Sequence, residues 1–134
     1  MFKKIFIILA IFSLILPAHA WGGKKYSVVM DNKPITQDSM KKPKYHFSAG
    51  NRVYFGVIAK KKFKDDVIQY QVLHQSDKVH LGGITIVYSK RARLDYEDFY
   101  TDYFVPRKAG KYFIQIFELN NLHTPITGAD FICY

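Results

Sequence analysis

The chain has 134 residues, which suits one domain large enough to bury its own core. A single cysteine excludes a disulfide within the chain, so stability has to come from that core. Aromatic residues make up 16% of the chain and contribute large apolar surfaces to it. The 20 Lys and Arg against 11 Asp and Glu give a formal net charge of +9, which favours anionic partners.

The N-terminus has the organisation of a secretory signal peptide. A basic start precedes an apolar run over residues 5–16, and small residues flank a cleavage site between Ala20 and Trp21. The apolar run is too short for a comfortable membrane span. We therefore expect a signal peptide over residues 1–20, one domain over residues 21–134 and no transmembrane anchor after cleavage; an uncleaved N-terminal anchor is the alternative. The predicted location is periplasmic or secreted, which excludes nucleic acid as a normal partner.

Short strands separated by turn signals are predicted along the rest of the chain. The clearest places Ile68, Tyr70 and Val72 on one face and Gln69 and Gln71 on the other, the period of a strand with one buried face. The predicted strands cover residues 26–30, 52–60, 67–74, 84–88, 100–105, 110–118 and 127–134. No amphipathic helix is predicted, and the lack of β-α-β alternation favours two packed sheets. We therefore predict an all-β fold, an antiparallel β-sandwich of about seven strands.

The segment that follows Pro106 carries a recognisable corner pattern. Gly110 ends a turn, and Tyr112 follows two residues later at the start of a predicted strand. A tyrosine there buries its ring while its hydroxyl bonds to nearby backbone. The segment Ala109–Phe117 resembles the tyrosine corner of the broad bacterial group of Ig-like β-sandwiches. The resemblance implies an Ig-like sandwich with structural roles for Gly110 and Tyr112, although Ile114 stands where antibody-type domains carry their second disulfide cysteine.

Motifs of catalysis are missing from the sequence. It contains no Gly-x-Ser-x-Gly elbow, no zinc-protease helix motif and no glycine-rich phosphate loop. Cys133 alternates with Phe131 in the last predicted strand, so we expect a buried small hydrophobe rather than a nucleophile; pairing between chains is the alternative. Asp95, Glu97 and Asp98 lie near arginines and are expected to form surface ion pairs. We therefore predict a protein that is not an enzyme.

Histidines and methionines provide the basis for an alternative, a copper site. Imidazole and thioether side chains suit copper, and Met30 and Met40 are possible soft ligands. Strands of one sandwich could bring several imidazoles together. The candidate metal ligands are His46, His74, His80 and His123.

The C-terminal third also resembles the CopC-type periplasmic copper carriers, which are small exported sandwiches. Gly110, Tyr112, Pro125 and Gly128 follow a spacing similar to that of the family's Gly-x-Tyr strand and the Gly-His-Pro loop after it. His123 lies one residue before the family's ligand position. The resemblance implies periplasmic copper carriage as the alternative function, with copper as the cofactor; the principal prediction has none.

The principal prediction is an interaction module of the cell envelope. Tyrosine offers contact area and a hydrogen bond at a low entropic cost, and an aromatic segment follows Leu94. Only part of that segment can face a partner, because either Tyr100 with Phe104 or Phe99 with Tyr103 has to face the core. The predicted partner-binding residues are Tyr96, Phe99, Tyr103, Lys60, Lys61, Lys62 and Lys64. The expected partner is an envelope protein or an anionic envelope polymer; solvated turn lysines that discourage edge pairing are the alternative interpretation of the lysine loop.

Overall fold

The computed structural model describes residues 24–75 and 83–134. The predicted signal peptide, its cleavage site and the candidate ligand His80 lie outside these ranges. The elements in chain order are β1 Tyr26–Asp31, α1 Gln37–Lys41, β2 His46–Phe47, β3 Val53–Ala59, β4 Val67–Gln75, β5 Ile84–Arg93, β6 Phe99–Phe104, β7 Gly110–Glu118 and β8 Thr127–Cys133.

Within the described ranges the strands form two sheets. The smaller has the order β1-β3-β6, and the larger has the order β2-β8-β7-β4-β5. The paired strands are antiparallel except for β2 and β8, which run parallel. The predicted all-β sandwich is confirmed. The strand prediction missed the two-residue β2, and the five-residue helix α1 was not predicted.

The core lies between the two sheets, where the inward side chains alternate along each strand. In β4 the predicted apolar face is confirmed, since Ile68, Tyr70 and Val72 are fully buried. The ring of Phe55 in β3 meets that of Tyr70 edge-on, with centroids 4.8 Å apart. Edge-to-face aromatic pairs add to the stabilisation that burial provides, so this pair helps to hold the two sheets together.

The corner before β7 is built on a glycine and a tyrosine. Gly110 has φ +134°, a backbone conformation that residues with a Cβ rarely adopt. The buried Tyr112 hydroxyl donates a hydrogen bond to the carbonyl of Lys108 at 2.6 Å, the type of bond that a tyrosine corner makes. Its ring stacks on Phe131 at 5.1 Å between centroids, which links the corner to the core.

The outer face of the smaller sheet is partly covered by the segment between β1 and β2. A side chain in place of Gly56 would lie 3.4 Å from Ile35 and 3.6 Å from Phe99, so these two residues pack over β3. In the following helix, Ser39 donates a 2.7 Å hydrogen bond to Asp31 of β1 and Met40 is buried. No helix in the described ranges is long and apolar enough to cross a lipid bilayer.

Candidate functional site

The strand β5 is an exposed apolar strand at one border of the larger sheet. Within the described residues it pairs with β4 alone. Its first half exposes large side chains, with 48% of Ile84, 57% of Ile86, 50% of Val87 and 40% of Tyr88 accessible to solvent. The register places Ile84 and Ile86 opposite Gln75 and Leu73, on the outer face of the larger sheet, whereas Val87 and Tyr88 border the gap between the sheets. An adjoining row of exposed apolar side chains is a common mark of an interaction site.

A β-bulge turns part of this apolar surface toward the gap between the sheets. The register pairs Val72 with Tyr88 and Leu73 with Ile86, so Val87 is the extra residue. Bulges redirect side chains and increase local twist. Here Val87 and Tyr88 both line the same cleft.

That cleft, of about 640 Å³, separates β5 from the end of β6 and the segment after it. Its apolar and aromatic wall includes Val87, Tyr88, Tyr103, Phe104 and Val105. Basic side chains also line the cleft; they are Arg107, Lys108 and Lys90, the last of which pairs with the lining carboxylate of Asp102. The cleft therefore combines apolar surface with positive charge at an open flank of the sandwich.

Asp102 of β6 joins the two sheets at the edge of the cleft. Its Oδ2 accepts hydrogen bonds from the hydroxyls of Tyr70 at 2.8 Å and Tyr100 at 2.6 Å, and from Lys90 Nζ at 2.9 Å. Its Oδ1 accepts one from the backbone N–H of Tyr103 at 2.8 Å. Burial alone would raise the pKa of this carboxyl, but these donors together lower it below its ordinary value. We call Tyr70, Lys90, Tyr100 and Asp102 the clasp, because its members come from both sheets.

The pKa values of the two tyrosines in the clasp are shifted in the opposite direction, upward. Burial first, and then the bonds to Asp102, raise the pKa of Tyr70 and of Tyr100 far above that of a free tyrosine. Both phenols therefore remain donors to an ionised carboxylate at neutral pH. The clasp is an arrangement of satisfied donors and acceptors.

At another side of the cleft, His74 contacts the corner that precedes β7. Its Nε2 lies 2.9 Å from the carbonyl oxygen of Ala109, and its ring packs on Tyr112 with centroids 4.7 Å apart. The imidazole is buried. A Cβ on Gly110 would lie 2.6 Å from His74 Nε2, so the glycine is required for this close approach.

The structure separates the predicted partner-binding residues into three places. The lysine loop borders Tyr96 in a second, more open depression, and its four lysines are exposed. Phe99 is half-buried on the outer face of the smaller sheet, against Ile35. Tyr103 is exposed and packs against Tyr54 at 5.5 Å, with the guanidinium of Arg52 4.5 Å above its ring. The four lysines are Lys60, Lys61, Lys62 and Lys64.

The lysine loop is anchored by the buried carboxylate of Glu118. One carboxylate oxygen accepts the backbone N–H of Lys64 at 2.8 Å and that of Asp65 at 3.0 Å. Phe63 is buried beneath the loop and stacks on Tyr26 with centroids 5.7 Å apart. The loop thus presents its lysines from a fixed base.

Of the predicted metal ligands, the described histidines lie in different surroundings. His46 is exposed on β2, with Nδ1 2.8 Å from the hydroxyl of Tyr134, whereas His74 is held by the corner and His123 is exposed in the loop before β8. Residues 24–75 and 83–134 contain no group of three or more His, Cys, Asp or Glu side chains arranged to hold a metal ion. Met30 and Met40 are buried.

Two further titratable groups are buried. Cys133 is 3% exposed, as its alternation with Phe131 predicts, and burial raises the pKa of its thiol to about 11.

The expectation that Asp98 forms a surface ion pair is wrong, because its side chain faces inward and is 1% exposed. Neither of its carboxylate oxygens has a hydrogen-bond partner within the described part of the chain, and burial raises its pKa.

The cleft as a whole was not predicted, although two residues singled out from the sequence line it, the candidate metal ligand His74 and the predicted partner-binding Tyr103. The further signal in the sequence is the apolar run from Ile84 to Tyr88 next to the basic run from Lys90 to Arg93. The first run falls in a predicted strand, and neither run is among the predicted binding residues. The structure shows both on one exposed edge.

The fold and cleft define the chain as an all-β sandwich domain with one uncovered flank. No protein-family model matches it, and no curated protein matches it in sequence. In fold it is similar to the soluble domain of PmoD from a Methylocystis species, with 8% identity and a TM-score of 0.51, covering 81% of this chain and 90% of that one. This likeness shows a shared β-sandwich fold alone.

Two more distant structures complete the comparison. A superoxide reductase (neelaredoxin) from Ignicoccus hospitalis has 8% identity and a TM-score of 0.46, covering 90% of both chains. A CARDB domain from Pyrococcus furiosus, in complex with di-metal ions, has 12% identity and a TM-score of 0.38, covering 82% of this chain and 94% of that one. Both are too distant to support a functional argument.

Proposed function

We propose that this protein is an exported, non-catalytic accessory module of the bacterial cell envelope that binds a partner protein through the cleft between β5 and β6. The observation that carries the proposal is the exposure of Val87 and Tyr88 in the apolar wall of the cleft, together with that of Ile84 and Ile86 on the other face of the same strand. Covering such side chains contributes about 25 cal/mol for each Å² of apolar surface removed from water. A partner that filled this flank would gain that free energy.

The character of the cleft favours a protein over an anionic polymer as the partner. A polymer recognised by its charge needs cations, and the lysine loop provides those without any cleft. The cleft adds apolar and aromatic surface, which suits the buried centre of a protein interface. Binding through it should therefore persist as salt rises above physiological levels, whereas polymer binding through lysines should fade.

The polar groups at the cleft support a non-catalytic role. Asp102 is ionised and accepts four hydrogen bonds, so it is occupied as an acceptor rather than held ready as an acid. His74 is bonded to a backbone carbonyl.

Copper carriage remains the competing proposal and has a direct test. Titration of the exported form with Cu(I) and Cu(II) should show no saturable binding tighter than about micromolar, because the described histidines lie in separate surroundings. Tighter binding that is lost when His74 or His80 is replaced by alanine would favour the copper proposal instead.

Photo-cross-linking in cells that produce the protein tests the proposed interface. A photoreactive amino acid at Val87 or Val105, both on the cleft, should give the same single protein adduct at moderate salt. The matched control is Asp130, which is exposed on β8, and Lys62 in the lysine loop provides a second comparison. No adduct at the cleft positions, or an adduct at Lys62 alone, would contradict the proposal.

A further inference from the structure

The outer edge of β5 is long and weakly protected in its first half. β5 has ten residues, and no described strand pairs with the edge opposite β4. Proteins normally protect such edges with lysines, prolines, bulges or short strands, because unpaired backbone N–H and C=O groups attract other strands. The stretch Ile84–Tyr88 contains no lysine or proline, and the bulge at Val87 is the one such feature within it. Its backbone therefore offers a ready template for an added strand.

The second half of β5 is basic, and its charges are available to a partner. Arg91 donates to the neutral side-chain oxygen of Gln69 at 2.9 Å. Arg93 pairs with Asp66 at 2.9 Å, but both side chains are mostly exposed, so the pair contributes little. Lys90 is turned inward to the clasp. The edge thus changes from apolar to positively charged along its length.

We infer that β5 receives an extended segment of the partner protein as an added antiparallel strand, with acidic residues in the N-terminal half of the segment and alternating apolar residues in its C-terminal half. Antiparallel pairing sets the acidic half against Ser89–Arg93 and the apolar half against Ile84–Tyr88. Pairing of backbone groups supplies affinity, and the two-part pattern supplies specificity. This inference rests on the proposed function and specifies how the partner binds.

A second copy of this chain is a poor occupant of the same edge. Two β5 strands paired antiparallel over their full length would set Ile84–Tyr88 of each against Ser89–Arg93 of the other. That register places apolar side chains opposite cations and provides no acid for Arg91 or Arg93. Removal of Lys3 and Lys4 with the predicted signal peptide lowers the formal net charge from +9 to +7, so two exported copies still repel each other. An acidic segment meets neither difficulty.

The bulge and the cleft favour the apolar half of such a segment. Val87, the extra residue of β5, lies with Tyr88 on the cleft side, next to Val105. Inward side chains of an added strand would come to the border of this apolar wall. Its outward side chains would lie beside Ile84 and Ile86. Both faces of the added strand therefore find apolar neighbours.

Selection from a phage library of random peptides tests this chemistry while the partner is still unidentified. Peptides of about 12 residues suffice to span β5. We expect the enriched peptides to carry net negative charge before an alternating apolar stretch. A synthetic copy of an enriched peptide should bind the exported protein, and Arg91→Glu or Ile86→Lys should weaken it about tenfold or more. Lys61→Glu is the matched charge control and should leave binding nearly unchanged.

Two further readouts separate strand addition from other modes of binding. Methylation of peptide backbone nitrogens should abolish binding at alternate positions only, because only every second N–H faces β5. Bound peptide should also slow hydrogen exchange at β5 amides. Thermal unfolding of each variant shows whether it is folded, and the substituted side chains are exposed, so we expect all of them to fold.

The outcomes distinguish this inference from the proposed function. No enriched peptide, an enriched basic peptide, or methylation effects without alternation would overturn strand addition. Self-association in sedimentation that Ile86→Lys abolishes would make a second copy the occupant and overturn it as well. If adducts at Val87 and Val105 nevertheless identify one partner, the proposed function stands and only the strand mode falls. If those adducts are also missing, both fall.

Discussion

Replacement of Asp102 by alanine removes the acceptor at the centre of the clasp. The fully buried Tyr70 then has a hydroxyl without its acceptor, and Tyr100 and Lys90 lose theirs as well. The resulting change in the free energy of unfolding can be estimated from the parts. An unsatisfied buried hydroxyl costs about 1–3 kcal/mol. The half-buried Tyr100 adds about 1 kcal/mol. The Lys90 pair, whose lysine is 44% exposed, adds at most about 1 kcal/mol.

We therefore expect Asp102→Ala to lower the free energy of unfolding by about 3 kcal/mol, a large part of the 5–15 kcal/mol typical of a domain. Urea denaturation of the two proteins measures the difference. Asp66→Ala is the matched control, because it also removes an aspartate paired with a cation, but at an exposed site. It should cost under about 1 kcal/mol. An Asp102→Ala loss no larger than that of Asp66→Ala would refute the reasoning.

The same variant has a predictable pH dependence. The folded-state pKa of Asp102 lies below its ordinary value, so the contribution of the carboxylate is fully present above the pKa of the unfolded state and is lost as pH falls through the folded pKa. The stability difference between the wild-type protein and Asp102→Ala should therefore be constant near neutrality and shrink below about pH 4. A difference that grew on acidification would contradict this sign.

Four other substitutions and reactions follow from the structure. Gly110→Ala should destabilise the protein by about 2 kcal/mol or more, because the added Cβ meets His74 and φ is positive; an unchanged thermal midpoint would count against this. Tyr112→Phe should cost about 1 kcal/mol in urea denaturation through loss of the corner hydrogen bond. Cys133 should react with a thiol reagent only after unfolding, because its pKa of about 11 and its burial leave little accessible thiolate; rapid reaction of the folded protein would show otherwise. Asp98→Asn should raise stability at neutral pH, since a raised folded-state pKa means that ionisation favours the unfolded chain; a loss that persists at acidic pH would indicate a different role.

The features that the sequence predicted are those with local causes. The alternation of Ile68, Tyr70 and Val72 with polar residues follows from the two-residue period of a strand, so it indicates the buried face directly. The corner is equally local, because Gly110 and Tyr112 are two residues apart and the tyrosine bonds four residues back along the chain. The helix α1 was missed because part of its support comes from Asp31, which lies on another element.

The cleft could not be predicted, because it depends on contacts between residues that are far apart in the sequence. An apolar run such as Ile84–Tyr88 indicates a buried strand, and whether its two faces are covered depends on elements that are distant in the sequence. Asp102 presents the same difficulty, since its role depends on Tyr70 and Lys90, which lie on two other strands. The aromatic residues around Asp102 predict part of a binding surface there. In the structure that strand, with Tyr103, forms one wall of a cleft whose other wall is β5.

The strand β5 contributes to both features, to the clasp through Lys90 and to the exposed edge through Ile84–Tyr88. At Lys90 the strand β5 is joined to β6 through Asp102, so the larger sheet is fixed to the smaller one there. Toward Ile84 this link ends; Val87 and Tyr88 border the cleft, and Ile84 and Ile86 are exposed on the outer face of the larger sheet. The clasp joins the two sheets beside this apolar half, so a partner that covers it meets a surface whose position the sandwich already fixes. Binding to a preformed surface avoids the entropic cost of ordering it, which is the physical reason to expect β5 to act as a rigid template.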